Sequence, residues 1–188
     1  VTAAVFSSAI LGPHPAFPAA ITSGYTFYRE ILFFFPILGI AAGLVAGGFV
    51  ALEDAMARHR WRRRVGARLR PWLGGIVVGL IVTASGGLLA NRGSTEIHLA
   101  ALTALPWFIA LALALGKVVA TVVTLNSGGS GGVFAPSLFV GALIGSALAG
   151  LFQLGFPSLP IEPGTYAVVG MGALLAAATG APITGILF

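Results

Sequence analysis

A chain of 188 residues that is 57% hydrophobic, only 8% charged and of mean hydropathy +1.01 has too little polar surface to coat a water-soluble globule, so its solvent must be lipid. The absence of cysteine excludes disulfides, thiolate metal sites and thiol catalysis. The formal charge of +5 does not describe a nucleic-acid surface, because seven of the ten basic residues are Arg58, Arg60, Arg62, Arg63, Arg64, Arg68 and Arg70, one short cluster between apolar runs.

The chain opens in an apolar stretch with no charged leader, and residues 181–188 read as a helix still in progress, so residues 1–188 are expected to be a fragment of a larger transmembrane domain. Pro13, Pro15 and Pro18 forbid a continuing helix and predict an extended connection that runs to about Glu30. Residues 31–52 form the first spanning run. Gly39, Gly43 and Gly47 within it stand at four-residue spacing and predict a face that a neighbouring helix approaches closely. The arginine cluster follows and reads as a cytoplasmic loop that sets topology, with an anionic-lipid contact as its second use.

A second span is expected over residues 72–90, closed by the polar turn 91–96 on the opposite side of the membrane. Residues 99–124 are again apolar but are interrupted by Pro106 and Gly116, which allows two helices in place of one. Lys117 is the single charge there. It either reaches an interface, bonds backbone carbonyls, or raises the local anion concentration.

The least ordinary segment is Asn126-Ser-Gly-Gly-Ser-Gly-Gly followed at once by Val133-Phe-Ala-Pro and an apolar run to Gly150. In water this would be a flexible linker. Between two membrane-depth stretches, such irregular backbone is tolerated only where protein buries it or where it lines a cavity. A polar connection over residues 156–164 leads to an apolar helix over residues 165–178, broken by Thr179-Gly-Ala-Pro after too few residues to cross an average bilayer. Short, interrupted helices of this kind place binding sites near the midplane of transporters.

A helix that begins inside the bilayer presents backbone N–H groups and about half a positive charge to an anion. Gly131 and Gly132 keep side chains out of an ion's way, and Pro136 suits a first helical turn. The anion site is therefore expected at Gly132, Val133, Phe134, Ala135 and Pro136, with the N–H groups of Val133 and Phe134 as ligands and hydroxyls of Ser127 and Ser130 as further donors. His14, His59 and His98 show no metal-ligand spacing, and no metal or cofactor is expected.

The run from Gly128 to Ala142, with Gly-Gly-Val-Phe-Ala-Pro at its centre, resembles the GxFxP motif of the CLC chloride channel and proton–chloride antiporter family. Tyr166 onward, ending in Ala181-Pro-Ile-Thr-Gly, resembles the same family's next motif, and Lys117 fits a commonly basic position. The likeness is specific from Lys117 to Phe188 and looser before it. It implies an all-α integral membrane protein of inverted-repeat topology with discontinuous, partly re-entrant helices, working as a homodimer in which each subunit holds a pore. It further implies chloride or a similar anion as substrate, a multi-pass location in the plasma (inner) membrane, and either channel or antiport activity without enzymatic chemistry. By resemblance this chain is most of the second half. The gating glutamate, the serine loop and the late tyrosine of the family are not in these residues, and the turn at residues 91–98 lacks the proline and glycine the family pattern suggests. Two other readings remain at this level: another inverted-repeat transporter for an organic anion or a cation, and a structural membrane subunit. A cation site should show carboxylates inside a span, whereas Glu30, Glu53, Asp54, Glu96 and Glu162 stand at span ends or in connections.

Overall fold

The computed structural model describes residues 33–58, 65–66, 68–90, 105–129, 131–181 and 183. The expected connections at residues 12–18 and 91–96, most of the arginine cluster, Ser130 and Pro182 lie outside the described residues. Within them the chain is helical, with no strand: α1 (Phe34–Arg58), α2 (Arg70–Ala84), α3 (Trp107–Ser127), α4 (Phe134–Gly155) and α5 (Pro163–Thr179).

Helices α1, α3 and α4 are long and apolar enough to cross a membrane. At 15 and 17 residues, α2 and α5 reach only about 22 and 26 Å, less than the roughly 30 Å of hydrocarbon. Helix α1 continues past the apolar run to Arg58, and an exposed i,i+4 pair, Arg58 to Asp54 at 2.7 Å, lies in its last turns. Pro106 caps α3, which then passes through Gly116 without a break. The two-helix alternative therefore fails inside residues 107–127: glycine weakens a helix by only about 1 kcal/mol, and here it gives room to Leu89, whose Cδ1 lies 3.1 Å from where a Cβ would stand.

The α4–α5 contact is the most extensive, α3 packs on α4, α1 lies across α5, and α2 is added on the outer side of α3. A single apolar cluster joins Leu38, Ala42, Ala46 and Phe49 of α1 to Leu113, Val118 and Val122 of α3, Val140, Leu143 and Ile144 of α4, and Tyr166 and Leu174 of α5. Phe35 and Phe152 close on the fully buried Tyr166 ring at 5.3 and 6.0 Å between centroids.

Among the described residues the glycine row Gly39, Gly43, Gly47 does not make the expected close contact, and a Cβ at any of them meets nothing within 4 Å. The buried row is Leu38, Ala42, Ala46 and Phe49, one residue earlier and so about 100° around the helix. The close approach occurs instead between α4 and α5. A Cβ on Gly141 or Gly145 would fall on the carbonyls of Gly170 or Tyr166, so the two backbones touch directly. Leu69 just before α2, Trp72, Ile76 and Leu80 within it, and Ile40 and Leu44 of α1 are exposed, an arrangement suited to lipid or a neighbouring membrane segment and not to water.

Candidate anion site

Helix α3 ends because Gly128 adopts the left-handed conformation, φ +94°, which L side chains rarely accept. Its N–H reaches the Leu125 carbonyl and that of Gly129 the Thr124 carbonyl, at 3.4 and 3.0 Å, so the helix end is closed by its own loop. Gly129 must also lack a side chain, since a Cβ would stand 2.8 Å from Thr124 Cγ2 and 3.0 Å from the Thr124 carbonyl. The other two glycines have a different role. Gly132 has no neighbour within 4 Å in the Cβ direction, and Gly131 only ordinary contacts at about 4 Å.

Val133 caps α4 in right-handed conformation with no side-chain cap. Both the N–H and the hydroxyl of Ser137 donate to its carbonyl, at 3.0 and 2.7 Å. Pro136, third in the helix, has no N–H to give, so the amides of Val133, Phe134 and Ala135 are the backbone donors of the helix start.

Gly131, Gly132, Ala135 and Pro136 line one wall of a cleft of about 310 Å³. Ala120, Thr121, Thr124 and Leu125 of α3, Val78 and Val82 of α2, Leu89 and Lys117 complete it. Lys117 is 8% exposed; its ammonium donates to the Leu89 carbonyl at 2.8 Å and lies 5.1 Å from the centroid of the Phe139 ring. The structure thus gathers Lys117, Gly132, Ala135 and Pro136 around one cleft, with Val133 and Phe134 between the last three in sequence.

Ser127 is placed elsewhere. Its hydroxyl donates to the Thr124 carbonyl at 3.0 Å and its side chain occupies the space left by Gly74, so it joins α2 to α3 and is not a donor to the cleft. Residues at spacing i+4 and i+7 from Lys117 share its helix face, a signal by which Thr121 and Thr124 are findable from sequence. Their hydroxyls donate to the carbonyls of Lys117 and Ala120, at 2.8 and 2.7 Å. Leu89 and Phe139 are distant in sequence and carry no local sign of their place.

Apolar spans, a short interrupted helix and a cleft lined by Gly132, Ala135 and Pro136 at a helix start define a polytopic all-α membrane protein. The chain belongs to the voltage gated chloride channel family, whose model matches residues 1–188. It is 35% identical over 164 residues to the H(+)/Cl(−) exchange transporter ClcA of Salmonella typhi, covering 83% of this chain and 34% of that protein. Against the ClcA exchange transporter of Vibrio vulnificus the identity is 51% over 75 residues, 40% of this chain and 16% of the relative. A slow cyanobacterial Cl−/H+ antiporter solved by X-ray crystallography matches with a TM-score of 0.65 at 26% identity, over 94% of this chain and 42% of its own. The chain therefore spans about a third of the length of the Salmonella relative, and its fold is that of the CLC membrane domain.

Proposed function

We propose that this chain forms part of a membrane transporter for chloride or a similar small anion, and that Gly132, Val133, Phe134, Ala135 and Pro136 build its anion site with the backbone N–H groups of Val133 and Phe134 as ligands. One observation carries the reading: the start of α4, preceded by two side-chain-free residues, opens onto the same cleft as a buried lysine. Neutral amide donors attract an anion without the deep well that a formal charge at bonding distance creates, and fast release follows. Glu53 and Asp54 sit in the last turns of α1, and Glu162 caps α5, so among the described residues no carboxylate opposes an anion inside the helix bundle. The names of the relatives favour proton-coupled exchange over a channel. A homodimer in the inner membrane completes the reading, with the arginine cluster on the cytoplasmic side.

The test is a backbone ester replacing the N–H of Val133 in the full-length protein. Loss of one charge-assisted hydrogen bond, about 1.5 to 3 kcal/mol, should weaken bromide binding roughly tenfold or more, while Val133→Ile, which keeps the amide, should leave affinity nearly unchanged. Crystals soaked in bromide should show anomalous density at the loop. Absent density together with unchanged affinity in the ester variant would refute the site.

A further inference from the structure

We propose that Phe139 and the Leu89 carbonyl are positioning groups that hold the Lys117 ammonium at the wall of the cleft, so that it acts on a transported anion as a nearby charge and not as a direct ligand. The proposal rests on the anion site described above.

The anchor is built from two sides. After α2 the chain turns through Gly86 and Gly87, both at positive φ (+63° and +85°), with Gly87 N–H donating to the Val82 carbonyl at 2.9 Å and Gly86 N–H to that of Thr83 at 3.0 Å. The Ser85 hydroxyl bonds the Val82 carbonyl at 2.7 Å and accepts from Leu89 N–H at 3.3 Å. Leu89 is buried against Gly116, the neighbour of Lys117, where a Cβ would stand 3.1 Å from Leu89 Cδ1 and press on it. The Leu89 carbonyl is therefore delivered at a fixed place 2.8 Å from the ammonium. From the opposite side α4 brings the Phe139 ring to 5.1 Å, a distance at which a ring attracts a cation. Neither partner is an acid, so neither carries a negative charge that would offset the field of the ammonium, as a salt-bridge partner would.

The geometry separates charge from contact. A lysine stem has four flexible carbons, and the cleft it lines also holds Gly131, Gly132 and Pro136 at the start of α4. An ammonium free to swing into that space would bond the anion directly, and in a low-dielectric cleft such a contact would hold the ion and slow its release. Clasped between a carbonyl and a ring, the ammonium instead contributes its field from the wall. Removing the ring face loosens the clasp, and affinity and turnover should then move in opposite directions. Loss of packing alone cannot produce that split.

The experiment measures bromide affinity and chloride turnover of the full-length protein in liposomes for Phe139→Leu, Phe139→Met and Phe139→Tyr, each with Lys117 and with Lys117→Met. Phe139→Leu and Phe139→Met should bind bromide roughly three- to tenfold more tightly and turn over correspondingly more slowly. Phe139→Tyr, which retains a ring face, should rescue both quantities, and in the Lys117→Met background the Leu and Met substitutions should have no such effect. Whichever of the two aliphatic variants folds supplies the comparison. Unchanged affinity, a parallel fall of affinity and turnover, or the same shift without Lys117 would overturn the proposal and leave the loop site standing. Absence of bromide from the loop in the parent protein would instead remove the anion-site reading, and the proposal with it.

Discussion

Replacing Gly145 by alanine puts a methyl group where α4 and α5 share backbone contact. The new Cβ would fall on the Tyr166 carbonyl and stand 2.9 Å from the Ala167 Cα. Carbon atoms pack at about 3.5 to 4.0 Å and the Tyr166 carbonyl carbon would stand 2.5 Å away, so the helices must separate by roughly 1.0 to 1.5 Å along that contact. Overpacking of this kind typically costs about 1 to 3 kcal/mol, while alanine in a helix regains about 1 kcal/mol over glycine anywhere. Gly43→Ala is the matched control, because that position is also mid-helix and meets nothing within 4 Å. The helix-propensity gain is common to both, so the difference isolates the crossing. Gly43→Ala should be neutral or up to about 1 kcal/mol stabilising, and Gly145→Ala should lie about 1 to 3 kcal/mol below it. Denaturant unfolding of the detergent-solubilised protein, followed by tryptophan fluorescence, gives both numbers. Equal stabilities for the two variants would show that the α4–α5 backbones do not touch.

Gly128→Ala should destabilise by about 1 to 2 kcal/mol and disturb the loop, since φ +94° places a Cβ against the following carbonyl, and the same unfolding assay should show no comparable loss for Gly132→Ala. Single cysteines at Arg63 and Ser94 should react with a membrane-impermeant reagent from opposite sides of the bilayer, with Arg63 protected in intact cells. Labelling of Arg63 from outside would invert the topology.

Most helical spans were legible because composition and Gly/Pro punctuation act locally: Pro106 starts α3, Gly128 ends it and Gly180, at φ +65°, ends α5, whereas the second span, expected over residues 72–90, stops as a helix at Ala84. The loop stood out for the same reason, since four glycines between membrane-depth helices have few other uses. Orientation around a helix axis was harder. The glycine row of α1 and its Leu38/Ala42/Ala46 row are equally regular in sequence, and in an apolar chain nothing local says which row meets protein and which meets lipid. Ser127 shows the same limit, because an unpaired hydroxyl at a loop edge reads as a free donor until Gly74 opposite accepts its side chain. The Leu89 carbonyl beside Lys117 is invisible for another reason: backbone acceptors carry no side-chain identity.

The end of α3 and the start of α4 lie only six residues apart, with Ser127 last in one helix and Phe134 first in the other. Each terminus carries about half an elementary charge, negative at the end of α3 and positive at the start of α4. Side by side, two such opposite poles largely cancel when seen from afar, and their combined attraction decays much faster with distance than that of a single charge. An ion entering from either side would thus meet almost no pull from the loop until it arrives within a few ångströms, and it would be released over an equally short distance.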